Sequence, residues 1–190
     1  MATDLAIHHV CGLDELRDAP LVSADRIVSI LDPHGNSPRE LLSTTAPVLT
    51  LRFEDVVDAA DGAAPTMAHV KALLQFDAAA RINERLVIHC TAGISRSTAA
   101  LAILLAARHP ALDDEIFAAI RRIRPRAWPN SLVVSLGDRA LARQGTLIAA
   151  LHRHYNYQVR HPELGAIFRA TARLSDIPEE TTDSDSSTFQ

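Results

Sequence analysis

Only two cysteines, Cys11 and Cys90, occur in the 190 residues of the chain. Two thiols make no disulfide framework, and a reducing cytoplasm is the expected setting. No apolar run approaches the roughly 18 residues that cross a bilayer, so no membrane partner is expected. The opening MATDLAIHHV places an acid early and has neither a basic start nor a long apolar stretch, unlike a secretory leader. Basic residues form no block, so nucleic acid is not an expected partner. His8, His9 and His69 fall in no spacing that matches a zinc site, and neither metal nor cofactor is expected. Internal repeats are absent.

What is present suits one folded unit. The chain is 47% hydrophobic and 22% charged, enough to bury a core. Its net charge of −4 is unevenly spread. The last sixteen residues hold five acids (Asp176, Glu179, Glu180, Asp183, Asp185) and no base, which leaves the rest near neutral. Residues 1–174 are therefore expected to form a single domain, and 175–190 an acidic disordered tail.

Strand signals fall early: LAIHHV (5–10), RIVSIL (26–31), VLTLRF (48–53) and RLVIHC (85–90). The last is nearly all apolar in its middle, as a strand covered on both faces would be. Helical spacing marks PTMAHVKALLQFDAAARI (65–82), SRSTAALAILLAARH (95–109) and LDDEIFAAIRRI (112–123). From Ser131 onward the pattern is one long helix or two broken near Gly145. Strands alternating with helices predict an α/β fold, a central and mostly parallel sheet flanked by helices. In such sheets ligands bind at the carboxyl ends of strands, and Cys90 stands at one.

Five residues, Thr91, Ala92, Gly93, Ile94 and Ser95, separate Cys90 from Arg96. They connect a predicted strand to a predicted helix N-terminus. Successive N–H groups in such a turn make an anion-binding nest, and the helix dipole adds to it. Gly93 supplies backbone freedom, and Arg96 carries a planar fork that grips two phosphate oxygens. A thiol placed at a helix N-terminus beside a cation favours its nucleophilic thiolate form. One loop thus offers a nucleophile and a cradle for a tetrahedral oxyanion.

HCTAGISRS (89–97) resembles the signature loop of cysteine-based protein tyrosine and dual-specificity phosphatases: His-Cys, five residues, Arg, then Ser or Thr. Chance would produce the whole pattern on the order of once in ten thousand chains of this size, or more rarely. The resemblance implies a dual-specificity-like fold and roles for the matched positions. Cys90 is the nucleophile that forms a cysteinyl-phosphate. Arg96 and the amides of Thr91 to Arg96 bind the phosphate oxygens. Ser97 stabilises the departing thiolate. His89 orders the loop and helps favour the thiolate without touching substrate.

The family's general acid is an aspartate some thirty-odd residues before the cysteine, just past a strand. LRFEDVVDAADG offers Glu54, Asp55, Asp58 and Asp61. Asp55 comes first past the strand end, 35 residues before Cys90, and Asp58 follows at 32. Both stay open as the acid, Asp55 ahead. The Trp-Pro-Asp triplet of classical tyrosine phosphatases is missing, which favours the dual-specificity group and bacterial relatives. Downstream, Arg124-Pro125 and Asn130 match a family pattern in which the asparagine supports the loop; Asn130 is equally a helix cap. Trp128 either packs or walls the site, and Cys11 is structural or a redox partner of Cys90.

The implied activity is hydrolysis of phosphotyrosine, or of phosphoserine and phosphothreonine as well, in a protein or small phosphoester substrate. The alternatives are a phosphate-binding module without turnover and a phosphatase for another phosphoester such as a phosphoinositide. Phosphoinositide enzymes of this superfamily tend to carry lysines in the loop, where Thr91, Ala92, Ile94 and Ser95 are neutral.

Overall fold

The computed structural model describes residues 8–81 and 83–161. Four strands, β1 (His8–Cys11), β2 (Arg26–Leu31), β3 (Val48–Arg52) and β4 (Leu86–His89), pair in the order β1-β4-β2-β3. Every pairing is parallel. The two central strands are the ones that read as continuous apolar runs. All four residues of β4 are buried, and so are five of six in β2. Edge strand β3 buries only Leu51, in keeping with its alternating pattern.

The described helices are α1 (Met67–Ala78), between β3 and β4, and then α2 (Arg96–Arg108), α3 (Asp113–Ile123), α4 (Ser131–Ala140) and α5 (Thr146–Arg160). Side chains from all five pack with Val10, Val28, Ile30, Leu51, Leu86 and Ile88 in one core. Alternate residues point to the other face. There Cys11, Ile27 and Val87 meet Leu16, and the cover is short 3₁₀ turns at Leu16–Asp18 and Leu21–Ser23 rather than α-helix. Helix α2 is buried from Arg96 to Ala106, which is why its sequence is apolar all round. Gly137 of α4 lies so close to Ile103 that a Cβ would strike it.

The long C-terminal helical pattern is two helices, broken at Gly145 (φ 91°). The buried Asp138 carboxylate bridges the break, accepting from the N–H groups of Gly145 (2.8 Å) and Leu147 (3.1 Å). These are orphan donors at a helix start, which an acid satisfies well. The first predicted strand is observed from His8 to Cys11; residues 5–7 lie outside the described residues, as does the acidic tail. The helix expected over 65–82 ends at Ala78. Among the described residues no helix is long and apolar enough to cross a membrane.

Candidate active site

Parallel pairing sets Cys11 of β1 and Ser29 of β2 on either side of His89. The loop that follows β4 therefore leaves the sheet at its centre, and α2 starts at its far end with Ser95 as N-cap. Cys90 is buried. Its Sγ lies 3.2 Å from Ser97 Oγ and accepts the Gly93 N–H at 3.2 Å.

Each carbonyl from Thr91 to Ser95 is held from outside the loop. Leu13 N donates to Thr91 O (3.0 Å), Arg124 to Ala92 O (3.0 Å) and Gly93 O (2.9 Å), Trp128 N to Ile94 O (2.9 Å) and Asn130 N to Ser95 O (3.3 Å). In a trans peptide the C=O and the next N–H point opposite ways. Anchoring the carbonyls outward therefore turns the amides of residues 92–96 inward, as a nest requires. Gly93 (φ 68°) makes the turn possible, and a Cβ there would run into the backbone of Cys11 and Gly12.

Arg96 is buried. Its Nη1 donates to Asp32 Oδ1 (2.7 Å) and Phe53 O (2.7 Å), and its Nη2 to Thr91 Oγ1 (2.8 Å). Its buried Nε meets no acceptor among the described residues. Asp32 follows β2 and opens the DPHGNSP turn, and its side chain is 54% exposed. No spacing to the loop motif marked it in the sequence.

The acid-bearing segment divides clearly. Asp55 is half-buried, and its Oδ1 accepts from Ser95 Oγ (2.6 Å) and Asn130 Nδ2 (2.9 Å). Asp58 is exposed and turned onto its own loop, accepting from Ala60 N at 2.9 Å. Asp61 does the same with Ala63 N at 2.8 Å. Asn130 combines both expected parts: its Oδ1 caps α4 through Val133 N (2.9 Å), while its amide and backbone reach Asp55 and Ser95.

His89 ends β4 directly before Cys90. Its ring is fully buried and neither nitrogen meets a hydrogen-bond partner among the described residues. Burial pushes it down to about 4, against the weaker upward pull of the Cys90 backbone and Glu40. It is neutral near pH 7 and brings no positive charge to the thiol. Trp128 packs: it is buried and stacks on Tyr155 with ring centroids 4.3 Å apart. Cys11 is buried and unpaired, and burial, then Glu15, raises its thiol to about 12. Among the described residues no group of three or more His, Cys, Asp or Glu is placed to hold a metal ion.

No protein-family model matches the chain, and no curated protein sequence does. Solved structures do. DUSP15 matches at 20% identity and a TM-score of 0.57, over 79% of this chain and 91% of that one. The human tyrosine phosphatase-like serine/threonine/tyrosine-interacting protein matches at 16% and 0.57, over 73% and 93%. PTPMT1 in complex with PI(5)P matches at 20% and 0.51, over 72% and 91%. In its described residues, with four parallel strands, five helices and a strand-end loop, the chain has the fold of the dual-specificity phosphatase structures that it matches.

Proposed function

We propose that the protein is a cysteine-dependent phosphomonoesterase acting on phosphotyrosine, with phosphoserine and phosphothreonine as further substrates. One observation carries this reading: a buried thiol sits in a ring of inward amides beside a buried arginine whose Nε has no acceptor among the described residues.

In the first step Cys90 Sγ attacks phosphorus. The S–P bond forms as the P–O bond to the leaving group breaks, and the departing oxygen takes a proton from the Asp55 carboxylic acid. The Arg96 side chain and the inward amides of Ala92, Gly93, Ile94, Ser95 and Arg96 hold the other three oxygens, where charge gathers in the transition state. In the second step water attacks phosphorus and gives its proton to Asp55. The S–P bond breaks toward sulfur, and Ser97 Oγ, 3.2 Å away, stabilises the released thiolate. Asn130 and Ser95 aim Asp55, and Asp58 takes no part.

A phosphoinositide substrate has the PTPMT1 complex in its favour. Against it, the four variable loop residues bring no charge for a polyanionic headgroup. A phosphate-binding module without turnover would need a defective acid, and Asp55 is held beside the loop by Ser95 and Asn130.

The test is hydrolysis of a small aryl phosphate. Cys90→Ser abolishes it, and Arg96→Ala lowers kcat/KM by at least about 100-fold. Turnover that survives Cys90→Ser overturns the mechanism. A panel of phosphopeptides, phosphoinositides and nucleotides then separates the substrate classes.

A further inference from the structure

Arg124 stands outside the loop and touches neither Cys90 nor the anion site, yet it holds two of the loop's five carbonyls. Its Nη2 donates to Ala92 O at 3.0 Å and its Nε to Gly93 O at 2.9 Å. The peptide unit that begins at Ala92 O ends in the Gly93 N–H, which points at Cys90 Sγ at 3.2 Å. The unit that begins at Gly93 O ends in the inward Ile94 N–H. Arg124 therefore sets the aim of the donor on sulfur and of the next donor on phosphate, each through one rigid peptide plane.

The guanidinium is itself held. Glu15 lies 2.8 Å from Nη2 and 3.0 Å from Nη1, and its carboxylate also accepts the Gly12 N–H at 2.8 Å. The pairing keeps the Glu15 carboxyl below the usual carboxylate range. We infer that the Arg124–Glu15 pair is a positioning device for the phosphate loop, one that fixes loop geometry through backbone carbonyls rather than supplying charge to the substrate. This rests on Cys90 and its loop being the reactive centre. Both residues border an open cleft of about 490 Å³ with Gly12, Thr91 and Ala92, so shortening either side chain removes a tether without hollowing the core.

The experiment compares Arg124→Gln, Arg124→Lys, Glu15→Gln and the exchanged pair Glu15→Arg/Arg124→Glu. Three quantities are read: aryl phosphate kinetics, the rate of Cys90 alkylation by iodoacetamide followed on its own peptide, and thermal melting. Arg124→Gln lowers kcat/KM about 100-fold, the scale of a small misplacement in an active site. It also changes the alkylation rate, while melting moves by only a few degrees. Arg124→Lys recovers little, because one ammonium cannot serve two carbonyls and a carboxylate in a planar fork. The exchanged pair restores the ion pair but not the activity, since a carboxylate cannot donate to a carbonyl. If Arg124→Gln does not fold, Glu15→Gln decides, with a fall of about ten-fold expected.

Kinetics within about three-fold of wild type in the folded variant, or activity regained by the exchanged pair, overturns the proposal. If the wild-type protein hydrolyses no aryl phosphate, the functional reading fails on its own. Inorganic phosphate binding then judges the device: weaker binding by Arg124→Gln upholds it, and equal binding or no binding by the wild type overturns it.

Discussion

Arg96 Nη1 lies 2.7 Å from Asp32 Oδ1, so a carboxylate faces the group proposed to receive a phosphate dianion. The two anions compete for one cation and repel each other. Asp32→Asn keeps an oxygen acceptor for Nη1 and removes the charge. Inorganic phosphate should then inhibit several-fold more tightly, the scale of one like-charge repulsion near a wet surface. Weaker inhibition by phosphate in Asp32→Asn would instead make the carboxylate a necessary support for Arg96.

The two candidate acids separate by leaving group. Asp55→Asn retains an oxygen for Ser95 but has no proton to give, and should lower kcat by about 10²–10⁴ on an alkyl or phenyl phosphate. A nitrophenyl phosphate, whose leaving group needs less protonation, should suffer less. Asp58→Asn should leave both rates near wild type, because that side chain caps its own turn. An equal loss in the two variants would contradict the assignment.

Gly93 has no room for a methyl group. Its φ is 68° and a Cβ would meet the backbone of Cys11 and Gly12, which cannot rotate away as a side chain can. Gly93→Ala should shift the amide off Cys90 Sγ and lower kcat/KM by at least about 100-fold, with loss of phosphate binding measured in parallel. Unaltered phosphate binding would show that the loop tolerates the shift.

Acid should destabilise the protein before its carboxylates titrate. Burial pushes His89 and His154 down to about 4, and His9, His69 and His152 are lowered too, each chiefly by burial. Their ordinary value is about 6.5, so between these limits the unfolded chain binds protons that the folded one does not. Stability is complete above about pH 6.5 and is lost as pH falls toward 4, by about 3 kcal/mol at most for each of the two most shifted rings. Melting temperatures from pH 7.5 to 5 should fall steadily. His154→Gln should start lower, since it loses contacts to Arg121 and Ala127 O, but show a shallower slope. An unchanged slope would remove His154 from the account.

Local chemistry was legible in the sequence and distant pairing was not. Strand β2 matched its predicted bounds because apolar runs between turn signals need no partner to be recognised. Gly145 marked the helix break for the same local reason. The resemblance put Asp55 and Asn130 forward, and the two side chains meet beside the loop. Asp32 escaped because it sits in a turn whose composition is fully explained by turning, 64 residues from Arg96. Glu15 escaped because a short acidic segment gives no sign of the arginine it meets. The charge of His89 was not legible at all: a motif position says that a ring is present, while burial decides whether it carries charge.

The tethers on the loop carbonyls also constrain how the protein can fold. They come from residues 13, 124, 128 and 130, and the Arg124–Glu15 contact spans 109 positions of the chain. Contacts of such separation form late, after loop closure between them has been offset by other structure. Until both flanking segments dock, the chain holds a thiol and an arginine with no cradle between them. Catalytic competence is therefore a readout of the finished fold, and regain of phosphate binding during refolding should lag behind formation of the sheet.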